Sequence, residues 1–367
     1  MAEVSRTPLV EFDHEELVVR KGRRSGVYTV VAIHSTALGP ALGGCRMWRY
    51  ATSADGTRDA LRLSRAMTYK SAAAGLALGG GKGVICLGPG SPPTGAVRCD
   101  MLLDFADTVE VLEGSYITAE DVGTSARDMA VVAERTSHVT GLARSRGGSG
   151  DPSPFTAQGV EAAMRACCAR RFGSPDLSGR TVSIVGAGHV GSALARRLAK
   201  AGARLIVADI DEKKRDRARE LPRTRWTDPS SAMLAEVDVL APCALGGVID
   251  EVNVGLLRCR IVCGAANNVL ANEALADDLA ARGILYAPDF VANAGGIINI
   301  SVELRGDPSG PTPRSEGEYD LREARRRVAA IEETMGEILD HAEADGSTPL
   351  AAAYERARRR LVAAAQR

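Results

Sequence analysis

The stretch Thr181–Asp209, TVSIVGAGHVGSALARRLAKAGARLIVAD, constrains this chain more than any other. It reads as strand, glycine-rich turn, helix and second strand, which is one complete βαβ unit, and such units build a parallel sheet with helices on both faces. Gly186, Gly188 and Gly191 follow the apolar run Thr181–Val185 and open an Ala/Leu helix, and Asp209 ends the second strand 18 residues after Gly191. That is the context a dinucleotide-binding turn requires. Gly186 permits the tight turn, Gly188 lets the backbone approach a pyrophosphate, and Gly191 lets helix and strand pack closely, while the helix N-terminus stabilises the phosphate charge. Asp209 is placed to accept hydrogen bonds from the adenosine ribose and to repel a 2′-phosphate, so NAD is expected over NADP; Lys213 and Lys214, close behind, work against that preference. A turn with no ligand would leave the offset acid without a packing reason. His189, inside the turn, is expected to face solvent at the helix start.

The chain has 367 residues, enough for two domains at roughly 150 residues each. Its first part alternates short strands with helices: a strand at Tyr28–Ser35, a helix at Asp59–Gly75, a glycine-rich turn leading into a short strand at Val84–Leu87, a helix at Arg98–Glu113, a strand at Tyr116–Ala119, and a helix opened by the capping-box spacing Ser125-x-x-Asp128. The segment Arg144–Pro154, RSRGGSGDPSP, has the composition of a hinge. Beyond it come a helix at Thr156–Arg171, the βαβ unit, and further strands at Val237–Ala241, Arg260–Cys263 and Ile284–Ala287. Two helices, Tyr319–His341 and Pro349–Ala365, close the chain. The expected fold class is therefore α/β with an N-terminal α/β substrate domain over residues 1–143 and a Rossmann-type, doubly wound dinucleotide-binding domain over 155–330. Helices in 331–367 are expected to return to the first domain.

Basic and acidic residues balance at 46 each, which gives no reason to expect a nucleic-acid or anionic-membrane partner. Small molecules are the expected partners. No run of apolar residues is long enough to span a bilayer and the N-terminus lacks a signal-peptide pattern, so a soluble, cytoplasmic protein is expected. The eight cysteines show no C-x-x-C pattern and histidines are few, so no metal site is expected and the thiols read as reduced, mostly buried small hydrophobes.

Of the 46 basic residues only six are lysine, and two of these, Lys70 and Lys82, lie in the apolar stretch TYKSAAAGLALGGGKGVI. Burial there disfavours the ammonium and can bring a lysine towards a pKa of roughly 7 to 8, suited to general-base work. Arginine never deprotonates in a protein and could not serve. Two neighbouring lysines also lower one another's pKa, and one can hold a carboxylate while the other moves a proton. Either lysine alone could equally be snorkelling from an apolar surface; the pair, with a flexible glycine-rich approach, points to chemistry. A second candidate is Asp121 in Ala119-Glu120-Asp121-Val122-Gly123, where a strand ends and a helix begins; Glu120 reads as the solvent-facing member. Asn267-Asn268 and the loop Pro288-Asp289-Phe290 to Asn293-Ala294-Gly295-Gly296 offer amide groups at other strand ends, although asparagine in loops is commonly a turn former.

These residues bring out a resemblance. HSTALGPALGG (His34–Gly44), RAMTYK (Arg65–Lys70), GGGK (Gly79–Lys82), TAEDVGT (Thr118–Thr124), the GAGHVG turn, APCALGG (Ala241–Gly247), CGAANN (Cys263–Asn268) and APDFVANAGG (Ala287–Gly296) run through most of the chain. Together they resemble the glutamate, leucine, phenylalanine and valine dehydrogenase superfamily, closest to its leucine/valine branch. The resemblance implies that Lys70 holds the substrate α-carboxylate, Lys82 is the catalytic lysine, Asp121 assists proton transfer near the substrate amine, and Gly44 offers a backbone contact. Asn267 would be shared by nicotinamide ribose and substrate, Thr156 would contact the nicotinamide amide, and Gly186, Ala187, Gly188, His189, Val190, Gly191, Asp209 and Ala244 would line the NAD site.

The implied reaction is reversible oxidative deamination, in which Lys82 activates the water that converts an imine to the 2-oxo acid and ammonia; the implied assembly is a homo-oligomer. The pocket positions map to Leu42, Ala119, Ile297 and Ile300, all apolar, which argues against a charged substrate side chain. Isoleucine at the last two, where relatives carry valine, narrows the pocket and favours valine over leucine or phenylalanine by ~1 to 3 kcal/mol. Ser301–Gly306, SVELRG, departs from the family's Ala-Asp-Glu pattern at the pocket floor. An aromatic substrate, or an NAD-binding protein without turnover, are the alternatives; the latter needs none of Lys70, Lys82 and Asp121.

Overall fold

A computed structural model describes residues 13–304 and 319–366. The amino-terminal residues read above for a signal peptide, up to position 12, and Arg305 and Gly306 of the pocket-floor segment lie outside the described residues. The first part of the chain forms β1 (Glu16–Lys21), β2 (Tyr28–Ser35), β3 (Ala41–Arg49), α1 (Ser53–Ala73), β4 (Gly79–Leu87), α2 (Gly95–Glu110), β5 (Tyr116–Glu120) and α3 (Ala126–Val132). Their strands make one sheet in the order β1-β2-β4-β3-β5. The β1/β2 and β2/β4 pairs are antiparallel, and β3 runs parallel to both β4 and β5.

Helix α1 begins ahead of its expected start at Asp59 because Thr52 and Asp55 form a reciprocal capping box, each side chain satisfying the other's backbone N–H. Strand β4 begins at Gly79, not at Val84, so the expected glycine-rich turn is a correction: Gly79–Lys82 lie inside the strand. The reason is steric. A Cβ on Gly80 would lie 2.1 Å from the Thr68 backbone nitrogen, and one on Gly81 would lie 2.5 Å from the Tyr116 ring. These glycines let α1 and the neighbouring strands close on β4, and they leave Lys82 on a rigid element.

The second part opens with α4 (Ser153–Phe172), followed by β6 (Thr181–Val185), α5 (His189–Lys200), β7 (Arg204–Ala208), α6 (Arg215–Arg219), β8 (Thr224–Trp226), α7 (Pro229–Met233), β9 (Val237–Pro242), β10 (Cys259–Val262), α8 (Leu275–Ala281) and β11 (Leu285–Tyr286). The six strands are parallel in the order β11-β10-β9-β6-β7-β8, the doubly wound order with its switch point between β6 and β9. Short helices α9 (Asp289–Ala292) and α10 (Gly295–Ser301) follow, then α11 (Leu321–Ala329), α12 (Ile331–Asp345) and α13 (Pro349–Ala365).

The expected single helix at Tyr319–His341 is thus two, joined at Ala330. The terminal helices also divide: α12 packs on α4, while α13 lies on α1, where Arg360 donates to the Ala72 and Leu76 carbonyls. One apolar core runs from the second sheet and α4 through α10 and α12 to Leu42, Leu76 and Ala119 on the first unit.

Candidate active site

Lys82 sits in mid-β4, 5% exposed, with its Nζ donating to Asp121 Oδ2 at 2.8 Å. Asp121 follows β5, and β3 must pass close beside it. A Cβ on Gly44 would lie 2.7 Å from the Asp121 Cβ, so glycine there permits the approach. The same Oδ2 accepts from Arg46 Nε at 2.9 Å, and Arg46 Nη1 also donates to Asp59, which accepts from the Tyr50 hydroxyl. Burial pushes the Asp121 carboxyl up, but the ammonium of Lys82 and the guanidinium of Arg46 outweigh it and hold the group down at about 2. Asp121 is therefore a fixed anion in this arrangement. Arg46 escaped the sequence reading, although an arginine between Cys45 and Met47 in a strand of buried residues signals a carboxylate partner elsewhere in the fold.

Lys70, near the end of α1, donates from Nζ to Asn267 Oδ1 at 2.9 Å. This bond joins the first unit to the loop after β10, bridging 197 residues of sequence. Enclosure by protein lowers the Lys70 ammonium to about 8; the like charge of Lys82 adds to that, and Asp289 and Asp121 oppose it. A second carboxyl acting on Lys70 is thus Asp289, which opens α9 in a stretch expected to be a loop and weighed only for its amides. Its carboxyl is buried and pushed up by desolvation, and it accepts from the Val269 N–H at 2.8 Å, bracing the Asn267 loop. Asn293 braces the same loop from Nδ2, donating to Asn267 Oδ1 at 2.9 Å.

At the switch point, Gly186 has φ +109°, and a Cβ on it would lie 2.7 Å from the Ala244 Cβ, so the turns after β6 and β9 touch. A Cβ on Gly191 would lie 1.9 Å from the Gly186 carbonyl oxygen. A Cβ on Gly188 would meet no atom of another part of the chain within 4 Å. The three glycines thus divide as a dinucleotide turn requires, two closing the fold and one leaving open space at the N-terminus of α5, and the residues fit NAD. Thr156, on α4, hydrogen-bonds from its Oγ1 to the Pro152 carbonyl and lies against Gly296 at the start of α10.

Asp209 directly follows β7 and accepts from the Ala187 N–H at 2.7 Å and from Lys214 Nζ at 2.9 Å. Burial opposes its ionisation, but the Asp211 N–H, Lys214 and the Ala187 N–H together lower its pKa. His189 is exposed and Val190 half-buried at the start of α5. Leu42, Ala119, Ile297 and Ile300 are all buried in the core that joins the two units. Among the described residues no cluster of three or more His, Cys, Asp or Glu could hold a metal, and no helix is long and apolar enough to cross a membrane.

A doubly wound sheet with an open phosphate turn, facing a second unit that presents buried lysine and aspartate, defines an NAD-dependent oxidoreductase. The family signature "Glu/Leu/Phe/Val dehydrogenase, dimerisation domain" matches residues 10–138, "Glutamate/Leucine/Phenylalanine/Valine dehydrogenase" matches 207–367, and a "D-isomer specific 2-hydroxyacid dehydrogenase, NAD binding domain" signature matches 157–247. The chain is 41% identical to a leucine dehydrogenase of Thermoactinomyces intermedius over 96% of this chain and 92% of that one. It is 42% identical to a valine dehydrogenase of Streptomyces virginiae over 95% and 94%. Among solved structures it is similar to an L-tryptophan dehydrogenase from Nostoc punctiforme, with TM-score 0.79 and 34% identity over 97% and 98% of the two chains. The chain belongs to the Glu/Leu/Phe/Val dehydrogenase family and is an NAD-dependent amino acid dehydrogenase.

Proposed function

We propose that this enzyme oxidatively deaminates a branched-chain L-amino acid, with valine preferred, to the 2-oxo acid and ammonia, in the cytoplasm and as a homo-oligomer. The observation that carries the reading is the meeting of Lys70 with Asn267 beside the buried Lys82–Asp121 pair, because it brings a cation able to hold a carboxylate and a pair able to move a proton to one junction of the two units. When bound, NAD supplies a hydride acceptor; Thr156, the Gly186–Gly191 turn with Ala187, His189 and Val190, Asp209, Ala244 and Asn267 would hold it.

Lys70 binds the substrate carboxylate, and the Asn267 amide takes up the donor or acceptor left facing the cleft. Asp121, held as an anion by Arg46, attracts the substrate ammonium. That ammonium displaces Lys82 from the same carboxylate and gives up a proton before its Cα hydride leaves; Lys82, an ammonium while paired, releases its own proton to solvent, and the free amine then takes a proton from the water that attacks the resulting imine carbon. The backbone at Gly44 lines the approach. Leu42, Ala119, Ile297 and Ile300 exclude water and any charged side chain. The identities to leucine and valine dehydrogenases support an aliphatic substrate. An aromatic substrate is the second reading, favoured by the similarity to the L-tryptophan dehydrogenase.

The test is nicotinamide absorbance on mixing purified protein with NAD and L-valine, L-leucine, L-phenylalanine or L-tryptophan. Valine is expected to give the highest kcat/KM; preference for an aromatic overturns the substrate assignment. Lys82→Ala is expected to lose turnover by at least about a hundredfold while NAD still binds, and retained turnover removes Lys82 from its role.

A further inference from the structure

The connection between the two units is held by one carboxylate. Glu303 lies just beyond α10, its N–H donating to the Ile300 carbonyl at 3.0 Å. Its Oε2 accepts from Thr140 Oγ1 at 2.6 Å and from the Gly141 N–H at 3.1 Å, and its Oε1 accepts from the Ser149 N–H. Thr140 and Ser149 are buried feet of a loop whose tip, residues 143–147, is exposed, and the Gly150 N–H donates to the Leu142 carbonyl across its neck. Gly141, Gly147 and Gly150 all take positive φ, a conformation that lets the chain turn sharply here and that glycine adopts without strain. One side chain therefore gathers both ends of the joint.

The first foot also belongs to the side-chain pocket. The Thr140 N–H donates to the Thr118 carbonyl, which extends the edge of β5 next to Ala119. A Cβ on Gly141 would lie 3.9 Å from the Ala119 Cβ. On the other side, Ile297 and Ile300 sit on α10 within two turns of Glu303. The two walls come from different units, and the contacts of Glu303 run from one to the other.

We propose that Glu303 is a positioning residue that sets the separation between Ala119 and the Ile297/Ile300 wall, and so determines which aliphatic side chain the enzyme accepts. The inference rests on the assignment of those three residues to the substrate pocket. It assigns selectivity to a residue that the substrate does not touch: three donors held by charge-assisted hydrogen bonds close the clasp, and loosening it widens the pocket and slows its closure.

Glu303→Gln keeps the shape of the side chain but turns an amide NH2 towards backbone donors. With NAD saturating, E303Q is expected to raise KM for L-valine roughly tenfold and to shift the leucine-to-valine ratio of kcat/KM several-fold towards leucine. NAD affinity without amino acid, read by calorimetry, is expected to be unchanged, which a general loss of structure would not allow. Thr140→Val removes one donor with little change in volume and is expected to move the ratio the same way by a smaller factor; it decides the matter if E303Q does not fold. The pocket itself is read through Ile300→Ala. If I300A shifts the ratio and neither E303Q nor T140V does, the clasp is overturned and the pocket stands. If I300A leaves the ratio unchanged as well, the pocket assignment falls and the inference with it.

Discussion

A Cβ on Gly80 would lie 2.1 Å from the Thr68 backbone nitrogen, whereas a Cβ on Gly188 would meet nothing beyond its own neighbours within 4 Å. The chain has two glycine-rich segments, one in each unit, and each faces an aspartate that follows the adjoining parallel region of its sheet. In β4 the glycines let backbone meet backbone, and Lys82 is presented on a strand that cannot yield. In the turn after β6 only Gly186 and Gly191 are closed in, and Gly188 keeps a space in front of α5. The aspartates differ in the same sense. Asp121 is held by two buried or half-buried cations, while Asp209 is held by backbone N–H groups and the more exposed Lys214. Glycine in a sequence therefore marks close approach or open space, and its surroundings decide which.

The contrast can be broken most directly by adding one carbon to each segment. Gly80→Ala should destabilise the protein by about 3 kcal/mol or more, because the clashing atom is backbone and cannot rotate away. Thermal unfolding measures it, and a melting temperature within a degree of wild type would restore the flexible-turn reading of the first segment.

The aspartates separate next, in acid. The Asp121 pKa of about 2 lies below its ordinary 3.8. The folded state therefore binds this proton less readily than the unfolded one, and the resulting stabilisation, about 2 kcal/mol, is complete above pH ~4 and lost as pH falls through ~2. Denaturant unfolding of wild type and Asp121→Asn should show a stability difference that narrows by that amount over this window. A difference that stays constant with pH would mean that Lys82 and Arg46 do not hold the carboxyl down.

Gly188→Ala should leave the melting temperature nearly unchanged and raise KM for NAD roughly tenfold, since the methyl enters space a pyrophosphate needs. An unchanged KM would remove Gly188 from the cofactor site. The smallest effect belongs to Lys214. Its ion pair partly cancels the negative charge that repels a 2′-phosphate, so Lys214→Ala should lower kcat/KM with NADP relative to NAD by roughly threefold, the scale of a half-exposed pair. A rise in that ratio would reverse the sign given to Lys214.

The second unit was the more legible from sequence. Its strand Thr181–Val185, the helix start at the GxGxxG turn and the position of Asp209 directly after β7 agree with the structure because each is set by local periodicity and spacing. In the first unit Lys70, Lys82 and Asp121 stood out by residue type in an unlikely setting. The start of β4, the partner of Asp121 and the braces of the Asn267 loop did not. Glycine runs look alike whether packed or free, and the contacts that distinguish them lie far away in the chain: Arg46 meets Asp121 75 residues later, and Glu303 meets Thr140 163 residues earlier.

The sequence by itself determined the doubly wound cofactor sheet and the family, and it put forward Lys70, Lys82 and Asp121 as candidate reactive side chains. These follow from short-range patterns and from chemistry that only certain residue types can perform. The tertiary structure alone decided the ionic states and the joint. Asp121 is pulled down by two cations and Lys70 is lowered by enclosure, and both depend on which distant groups share a low-dielectric space. Likewise, a stretch composed like a free hinge is gathered by one carboxylate, because its buried backbone N–H groups require an acceptor and Glu303 supplies it.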